Sequence, residues 1–118
     1  MKDDKRACFA LIVASIVNNR RYYSVYDFMH SQYINISSSA LLSNYLSFFD
    51  YNRGGYISGN ASSMYDYPTS SYVSMTKSGN VVSCYDFEVG AYVNYTVNGA
   101  HVIAYDYQMS TYYNYRIS

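Results

Sequence analysis

From residue 22 to residue 118, apolar and polar side chains alternate in short runs separated by turns of Gly, Asn and Ser. Alternation with a period of two is typical of strands that are buried on one face. The pattern predicts about ten short strands in an antiparallel up-and-down meander. These strands are expected near residues 22–28, 33–38, 43–51, 56–59, 63–67, 72–77, 81–87, 92–97, 101–107 and 112–117.

The N-terminal segment has a different pattern, an apolar run from Ala7 to Val17 with no polar stripe. It predicts a helix over residues 5–19, within an apolar segment 1–21. A helix that is apolar on all sides has to be enclosed. The fold class is therefore mainly β with one N-terminal helix, which the strands wrap as a closed barrel or as a strongly curved open sheet.

The same apolar run has two other interpretations. At eleven residues it is too short to cross a bilayer, so no transmembrane segment is expected. It also resembles the apolar part of a signal peptide, although Asp3 and Asp4 are unusual there. A retained helix favours a cytoplasmic location, and the protein is secreted if residues 1–17 are a signal sequence. A helix lying on a membrane surface is the third reading.

One short motif returns along the strands. An aromatic residue is followed by Asp, and a tyrosine comes seven residues after that first aromatic. The pairs are Tyr26/Tyr33, Phe49/Tyr56, Tyr65/Tyr72, Tyr85/Tyr92 and Tyr105/Tyr112. We interpret them as five β-hairpin repeats over residues 22–118 of a single domain 1–118. In each hairpin the two rings should face each other across the turn, and the aspartate should accept backbone N–H bonds in that turn.

The register of the strands predicts two faces. Stepping back by two from each motif aspartate gives Val25, Phe48, Met64, Cys84 and Ala104. The residues after the partner tyrosines are Ile34, Ile57, Val73, Val93 and Tyr113. Since residues two apart share a face, this apolar face should lie on the helix. The motif aromatics, with Ser and Asn, should face water.

The motif and the C-terminal run Tyr112 to Ile117 (YYNYRI) resemble small bacterial tyrosine-rich β-repeat proteins of the β-flower kind. The resemblance covers residues 22–118. It implies a β-repeat fold and no established activity.

Charge is sparse and balanced, with eight Lys and Arg against eight Asp and Glu, so nucleic acid is not an expected partner. We interpret the basic residues beside the helix as solvated helix ends; they are Lys2, Lys5, Arg6, Arg20 and Arg21. Cys8 and Cys84 are expected to be buried thiols, although one pair of cysteines also permits a disulfide. Two cysteines, two histidines and one aspartate per turn do not form a metal-ligand pattern, so neither metal nor cofactor is expected.

Catalytic groups are scattered. His101 should lie on the tyrosine face and Cys84 on the opposite face, and we therefore expect no enzyme; a small hydrolase using His101 is the least favoured alternative. Tyrosine beside Ser and Asn is typical of antibody-like binding surfaces. We predict a non-enzymatic binding module for a protein or a glycan, and the alternative is a self-associating structural protein. The candidate ligand-binding residues are Tyr33, Tyr56, Tyr72, Tyr92 and Tyr112, with Tyr85 and Tyr105.

Overall fold

The computed structural model describes residues 1–42 and 44–118, without the side chains of 39–42. One helix, α1 (Asp3–Asn18), precedes ten antiparallel strands. The strands are β1 (Ser24–Asp27), β2 (Gln32–Leu42), β3 (Tyr45–Asp50), β4 (Gly55–Asn60), β5 (Ser63–Asp66), β6 (Ser71–Ser78), β7 (Val81–Asp86), β8 (Ala91–Asn98), β9 (His101–Asp106) and β10 (Thr111–Ile117). The predicted fold class, mainly β with one N-terminal helix, is confirmed.

The sheet closes on itself. Each strand pairs with the next along the chain, and β1 also pairs with β10. Val25 of β1 accordingly lies opposite Ile34 on one side and Ile117 on the other. Of the two predicted forms, the closed barrel is therefore the one observed. Closure pairs the first and last strands and removes the free edges that an open sheet would expose.

The barrel encloses α1. Every residue of the helix from Lys5 to Ser15 is buried. The strand residues predicted to face the helix are buried as well, among them Val25, Phe48 and Ala104, which have no exposed surface. Enclosure explains why the helix carries no polar stripe after its first turn, because residues 7–14 belong to the apolar core on every side. No helix among the described residues has the length and apolarity needed to cross a membrane.

Segment 38–50 forms a hairpin that differs in detail from the prediction. β2 extends to Leu42, beyond its predicted end at residue 38, and pairs with β3 across an irregularity between Ser38 and Ala40. The prediction of strands on both sides of this hairpin is confirmed for the described residues. Residue 43, the predicted start of β3, lies outside them, and β3 begins at Tyr45.

Turns of two kinds cap the two ends of the barrel. The five turns after the motif aspartates lie at the end where α1 begins, and we call this the motif end. At the other end the β8–β9 loop consists of Gly99 and Ala100, since Asn98 pairs with His101. Asn98, which lies between the predicted strands 92–97 and 101–107, thus belongs to β8. Gly99 takes a φ of 60°, which glycine adopts without the steric cost of a Cβ.

Candidate functional site

Fifteen aromatic rings surround the outside of the motif end in five groups of three. Each group contains the motif aromatic, its partner tyrosine and the aromatic residue that follows the aspartate. The groups are Tyr26/Tyr33/Phe28, Phe49/Tyr56/Tyr51, Tyr65/Tyr72/Tyr67, Tyr85/Tyr92/Phe87 and Tyr105/Tyr112/Tyr107. We call these fifteen rings the aromatic collar.

Within each group the motif aromatic is the central ring, and the other two rings contact it edge to face. Centroid separations run from 4.6 Å (Tyr105–Tyr112) to 5.0 Å (Phe49–Tyr51). This is the favoured geometry for aromatic pairs. The predicted contact between each motif aromatic and its partner tyrosine is confirmed in all five hairpins.

Sequence analysis did not identify the third ring of each group as part of the site. This ring follows the motif aspartate, and its backbone therefore belongs to the turn. Yet it stands two residues after the motif aromatic, and residues two apart share a face even at a strand end. Tyr85 and Phe87 illustrate this relationship, with ring centroids 4.8 Å apart. The period of two along a strand could therefore have predicted this contact from the sequence.

The predicted site residues fall into two classes of exposure. The five partner tyrosines are open to solvent, from 51% for Tyr92 to 70% for Tyr33. Tyr85 and Tyr105 are central rings and only partly exposed. They hold their neighbours in position and offer less surface of their own. The partner tyrosines and the third rings therefore make up most of the accessible collar.

A groove of about 250 Å³ lies between two neighbouring groups. Its lining consists of Tyr92 and Tyr107 with Ser83 and Asn94. Ser83 Oγ donates to Asn94 Oδ1 at 2.7 Å, and Asn94 Nδ2 donates to the Tyr107 hydroxyl at 3.3 Å. The groove thus combines two exposed phenol rings with a hydrogen-bonded polar floor.

The register between neighbouring hairpins decides where a partner tyrosine and a third ring can stand side by side, as Tyr92 and Tyr107 do. The backbone N–H of Tyr107 donates to the Tyr92 carbonyl at 3.1 Å, and the same bond joins Phe87 to Tyr72 and Tyr67 to Tyr56. The first hairpin differs. The backbone N–H of Tyr51 donates to the carbonyl of Asn35 and not to that of Tyr33. Tyr33 and Tyr51 are therefore offset by two residues relative to the other three pairs. Those three boundaries between hairpins share one register.

The motif aspartates lie on the inner side of the same end, where all five are buried. In four of them Oδ1 accepts a bond from the backbone N–H two residues on; the donors are Met29, Asn52, Glu88 and Gln108. The predicted turn role is confirmed for these four aspartates. Asp66 cannot form the same bond because Pro68, two residues on, carries no N–H. It accepts two bonds from Arg53 instead.

The solvated-end interpretation is wrong for Lys5 and Arg6. Both side chains are buried, at 0% and 1% exposed. Lys5 Nζ lies 2.7 Å from Asp86 Oδ1, and Arg6 Nε lies 3.0 Å from Asp106 Oδ2. The reason is that the first turn of α1 enters the barrel where the carboxylates point inward. Lys2, by contrast, is exposed and pairs with Glu88.

Two further basic side chains contact the motif aspartates. Arg53 bridges two carboxylates, with Nε 2.8 Å from Asp50 Oδ2 and Nη2 2.8 Å from Asp66 Oδ1. His30 Nδ1 lies 2.7 Å from Asp27 Oδ2. That hydrogen bond and the charge of Asp27 raise the pKa of His30. The carboxylates of Asp50, Asp66, Asp86 and Asp106 thus form a buried ionic layer with three basic side chains, Lys5, Arg6 and Arg53. Asp27 pairs with His30, which is partly open to solvent.

The remaining reactive side chains are separated by the sheet. His101 Nε2 lies 3.1 Å from Asn114 Oδ1 on the outer face. Cys84 and Cys8 are free thiols in the interior, and burial raises the pKa of both. Cys84 and His101 thus lie on opposite faces, as predicted. Among residues 1–42 and 44–118, no three His, Cys, Asp or Glu side chains are grouped in a way that could hold a metal ion.

No family model matches the chain, and neither a curated protein nor a solved structure is similar to it. Function is therefore inferred from the geometry of the aromatic collar.

Proposed function

We propose that this protein is a non-enzymatic binding module that contacts a protein or glycan through the aromatic collar. The observation that carries the proposal is the exposure of the ten outer rings. Each of them is more than half exposed, although each is also packed against a central ring. They are Phe28, Tyr33, Tyr51, Tyr56, Tyr67, Tyr72, Phe87, Tyr92, Tyr107 and Tyr112.

Pre-organisation makes these rings suitable for binding. A ring already fixed by its neighbour loses little conformational entropy when a partner covers it. Tyrosine also offers a hydrogen-bonding hydroxyl beside its apolar face. Tyr92, for example, is held 4.8 Å from the Tyr85 centroid and remains half exposed. The collar therefore combines rigid contact area with polar edges.

The distribution of charge supports a partner that is recognised without strong electrostatics. Inside the barrel, four of the motif aspartates are paired with the basic groups Lys5, Arg6 and Arg53. The outer rings are uncharged. Recognition on the collar would then depend on ring faces and hydrogen bonds. The separation of Cys84 from His101 by the sheet supports a role without nucleophilic catalysis.

The proposal is tested with two defined probe sets, an array of neutral and acidic oligosaccharides and a phage-displayed library of random dodecapeptides. We expect the protein to select ligands from one of them and the double variant Tyr92→Ser/Tyr112→Ser to lose them. Tyr23→Ser is the matched control, because Tyr23 is 60% exposed but precedes β1, outside the collar. Selection from neither set, or equal binding by the double variant, contradicts the proposal.

Self-association through the collar is the second candidate. Met29 and Met109 are exposed at the tips of the motif turns and extend the apolar surface of this end. Two barrels meeting end to end would cover it. Sedimentation velocity over a hundredfold range of concentration separates the candidates, since a monomer throughout excludes self-association.

A further inference from the structure

We infer that the groove between Tyr92 and Tyr107 binds one ring of a neutral oligosaccharide. This inference rests on the proposed function and names the ligand class for one part of the collar. It follows from the shape of the groove, the hydrogen-bonding capacity of its floor, its lack of charge and its recurrence around the barrel.

The shape suits a flat ligand with one apolar face. Tyr92 and Tyr107 stand on neighbouring hairpins, and their rings form the two sides of a groove of about 250 Å³. That volume lies below the range typical of sites for drug-sized ligands, so it fits a single small ring. A pyranose has a C–H face that packs on an aromatic ring and an edge of hydroxyl groups. The face would contact a phenol ring and the edge would point to the floor.

The floor has capacity left for hydroxyl groups. Asn94 Oδ1 accepts a hydrogen bond from Ser83 Oγ, and Asn94 Nδ2 donates one to the Tyr107 hydroxyl. A carboxamide has two N–H donors, so one N–H of Asn94 remains for a ligand, as do the Tyr107 hydroxyl proton and the lone pairs of Ser83 Oγ. A sugar hydroxyl both donates and accepts, and can therefore bond to such a mixed set of groups.

The groove has no charged lining residue. A nucleic acid strand stacked on these rings would bring phosphates, whose binding depends on Lys and Arg side chains. An acidic sugar would likewise bring an unpaired carboxylate. A neutral sugar brings neither, and its hydroxyl groups exchange water for the Asn94 amide and the two hydroxyls at little electrostatic cost.

The same register recurs at two other hairpin boundaries. There Tyr56 and Tyr67 take the places of Tyr92 and Tyr107, and the paired Ser47 and Ser58, with hydroxyl oxygens 3.2 Å apart, take the places of Ser83 and Asn94. At the other boundary the corresponding residues are Tyr72 and Phe87 with the paired Ser63 and Ser74. Both positions carry hydroxyls and no carboxamide. Further rings of the same oligosaccharide would contact these neighbouring positions more weakly than the Tyr92–Tyr107 groove, and the linked contacts would add avidity.

The test uses four neutral hexaoses as probes, built from β1–4 glucose, α1–4 glucose, β1–4 mannose and β1–4 N-acetylglucosamine. Calorimetry gives the affinity, and the side-chain amide resonances of Asn94 report contact at the groove. We expect at least one hexaose to bind and to shift those resonances. Asn94→Ala and the conservative Tyr107→Phe should each weaken binding about five- to tenfold, the loss of about one hydrogen bond.

Tyr23→Ser is the matched control. Tyr23 is 60% exposed but precedes β1 and lies outside the aromatic collar. Its substitution should leave hexaose affinity unchanged. A hexaose affinity that is unchanged in both Asn94→Ala and Tyr107→Phe overturns the inference. Failure of all four hexaoses also overturns it; the proposed function still stands if peptides are selected through Tyr92 and Tyr112, and falls as well if neither probe set is bound.

Discussion

The ammonium group of Lys5 lies 2.7 Å from Asp86 Oδ1, and neither side chain is exposed to solvent. The pair joins the first turn of α1 to the end of β7, 81 residues away in the chain. It lies directly beneath the group formed by Tyr85, Tyr92 and Phe87. Because one partner belongs to the helix and the other to the barrel wall, the pair fixes which end of the barrel the helix N-terminus occupies.

Removal of the Lys5 charge should be strongly destabilising. In Lys5→Met the carboxylate of Asp86 stays buried without its cation, and among the described residues nothing donates to Oδ2 of Asp86. Breaking one partner of a buried pair costs about 3–5 kcal/mol. Urea unfolding followed by circular dichroism should show a loss of that size in the free energy of unfolding.

Lys2→Met is the matched control for this substitution. Lys2 is 63% exposed and pairs with Glu88 near the surface, so its loss should cost far less stability than the loss of Lys5. The double variant Lys5→Met/Asp86→Leu should regain part of the stability lost in Lys5→Met, because it removes the unpaired carboxylate as well. Equal losses for Lys2→Met and Lys5→Met would show that the Lys5 pair is not buried.

His30 should make stability depend on pH. Its hydrogen bond to Asp27 raises the pKa of the His30 ring in the folded protein. In the unfolded chain the pKa of this ring is about 6.5. The stabilisation is therefore fully present below pH 6.5 and is lost as the pH rises through the folded pKa. NMR titration of the His30 ring should give a pKa above 6.5, and His30→Gln should remove this part of the pH dependence. A folded pKa at or below 6.5 would contradict this account.

The central and outer rings of a collar group should differ in their effect on stability. Tyr105 contacts both Tyr107 and Tyr112, whereas Tyr112 contacts only Tyr105 within the group and is 68% exposed. Each aromatic pair contributes about 0.5–1.5 kcal/mol. Tyr105→Ala should therefore cost about 2–3 kcal/mol in urea unfolding and Tyr112→Ala about 1 kcal/mol. The reverse order would mean that the rings do not pack as described.

The last residue of each motif turn has a positive φ, and only two of the five turns place glycine there. Ser110 has a φ of 51° and Gly90 a φ of 69°. A Cβ on Gly90 would meet no atom closer than 3.6 Å, so conformation alone decides the effect of a substitution. Gly90→Ala should lower stability by about 1 kcal/mol, and Ser110→Gly should raise it by several tenths. Changes of the same sign in both variants would contradict this explanation.

The sequence predicted the strands, the two faces and the ring contacts because all three follow from local periods. Val25, Phe48 and Ala104 face the helix as the period of two required. The same period placed the aspartates on the inner face, since Asp86 follows Cys84 by two. The interpretation of Lys5 and Arg6 as solvated was wrong because their burial depends on partners 81 and 100 residues away in the chain. No local period reveals such contacts.

Other features depend on how distant strands align and could not be read locally. Closure required β1 to pair with β10, and no motif residue specifies that pairing. The offset of the first hairpin follows from the pairing of distant residues, as in the bond from Tyr51 to Asn35. The groove at Asn94 was missed for the same reason, since Tyr92 and Tyr107 belong to separate hairpins. Sequence analysis identified the rings but not which of them would be neighbours.

The most direct test of the central claim, an enclosed helix beneath an exposed aromatic collar, is hydroxyl-radical footprinting read by mass spectrometry. Cys8 and Tyr95 are fully buried, whereas Tyr92 and Tyr112 are more than half exposed. We predict rapid oxidation of the two collar tyrosines in the native protein, and protection of Cys8 and Tyr95 that is lost in urea. Oxidation of Cys8 at its unfolded rate under native conditions, or protection of both collar tyrosines, would contradict the account.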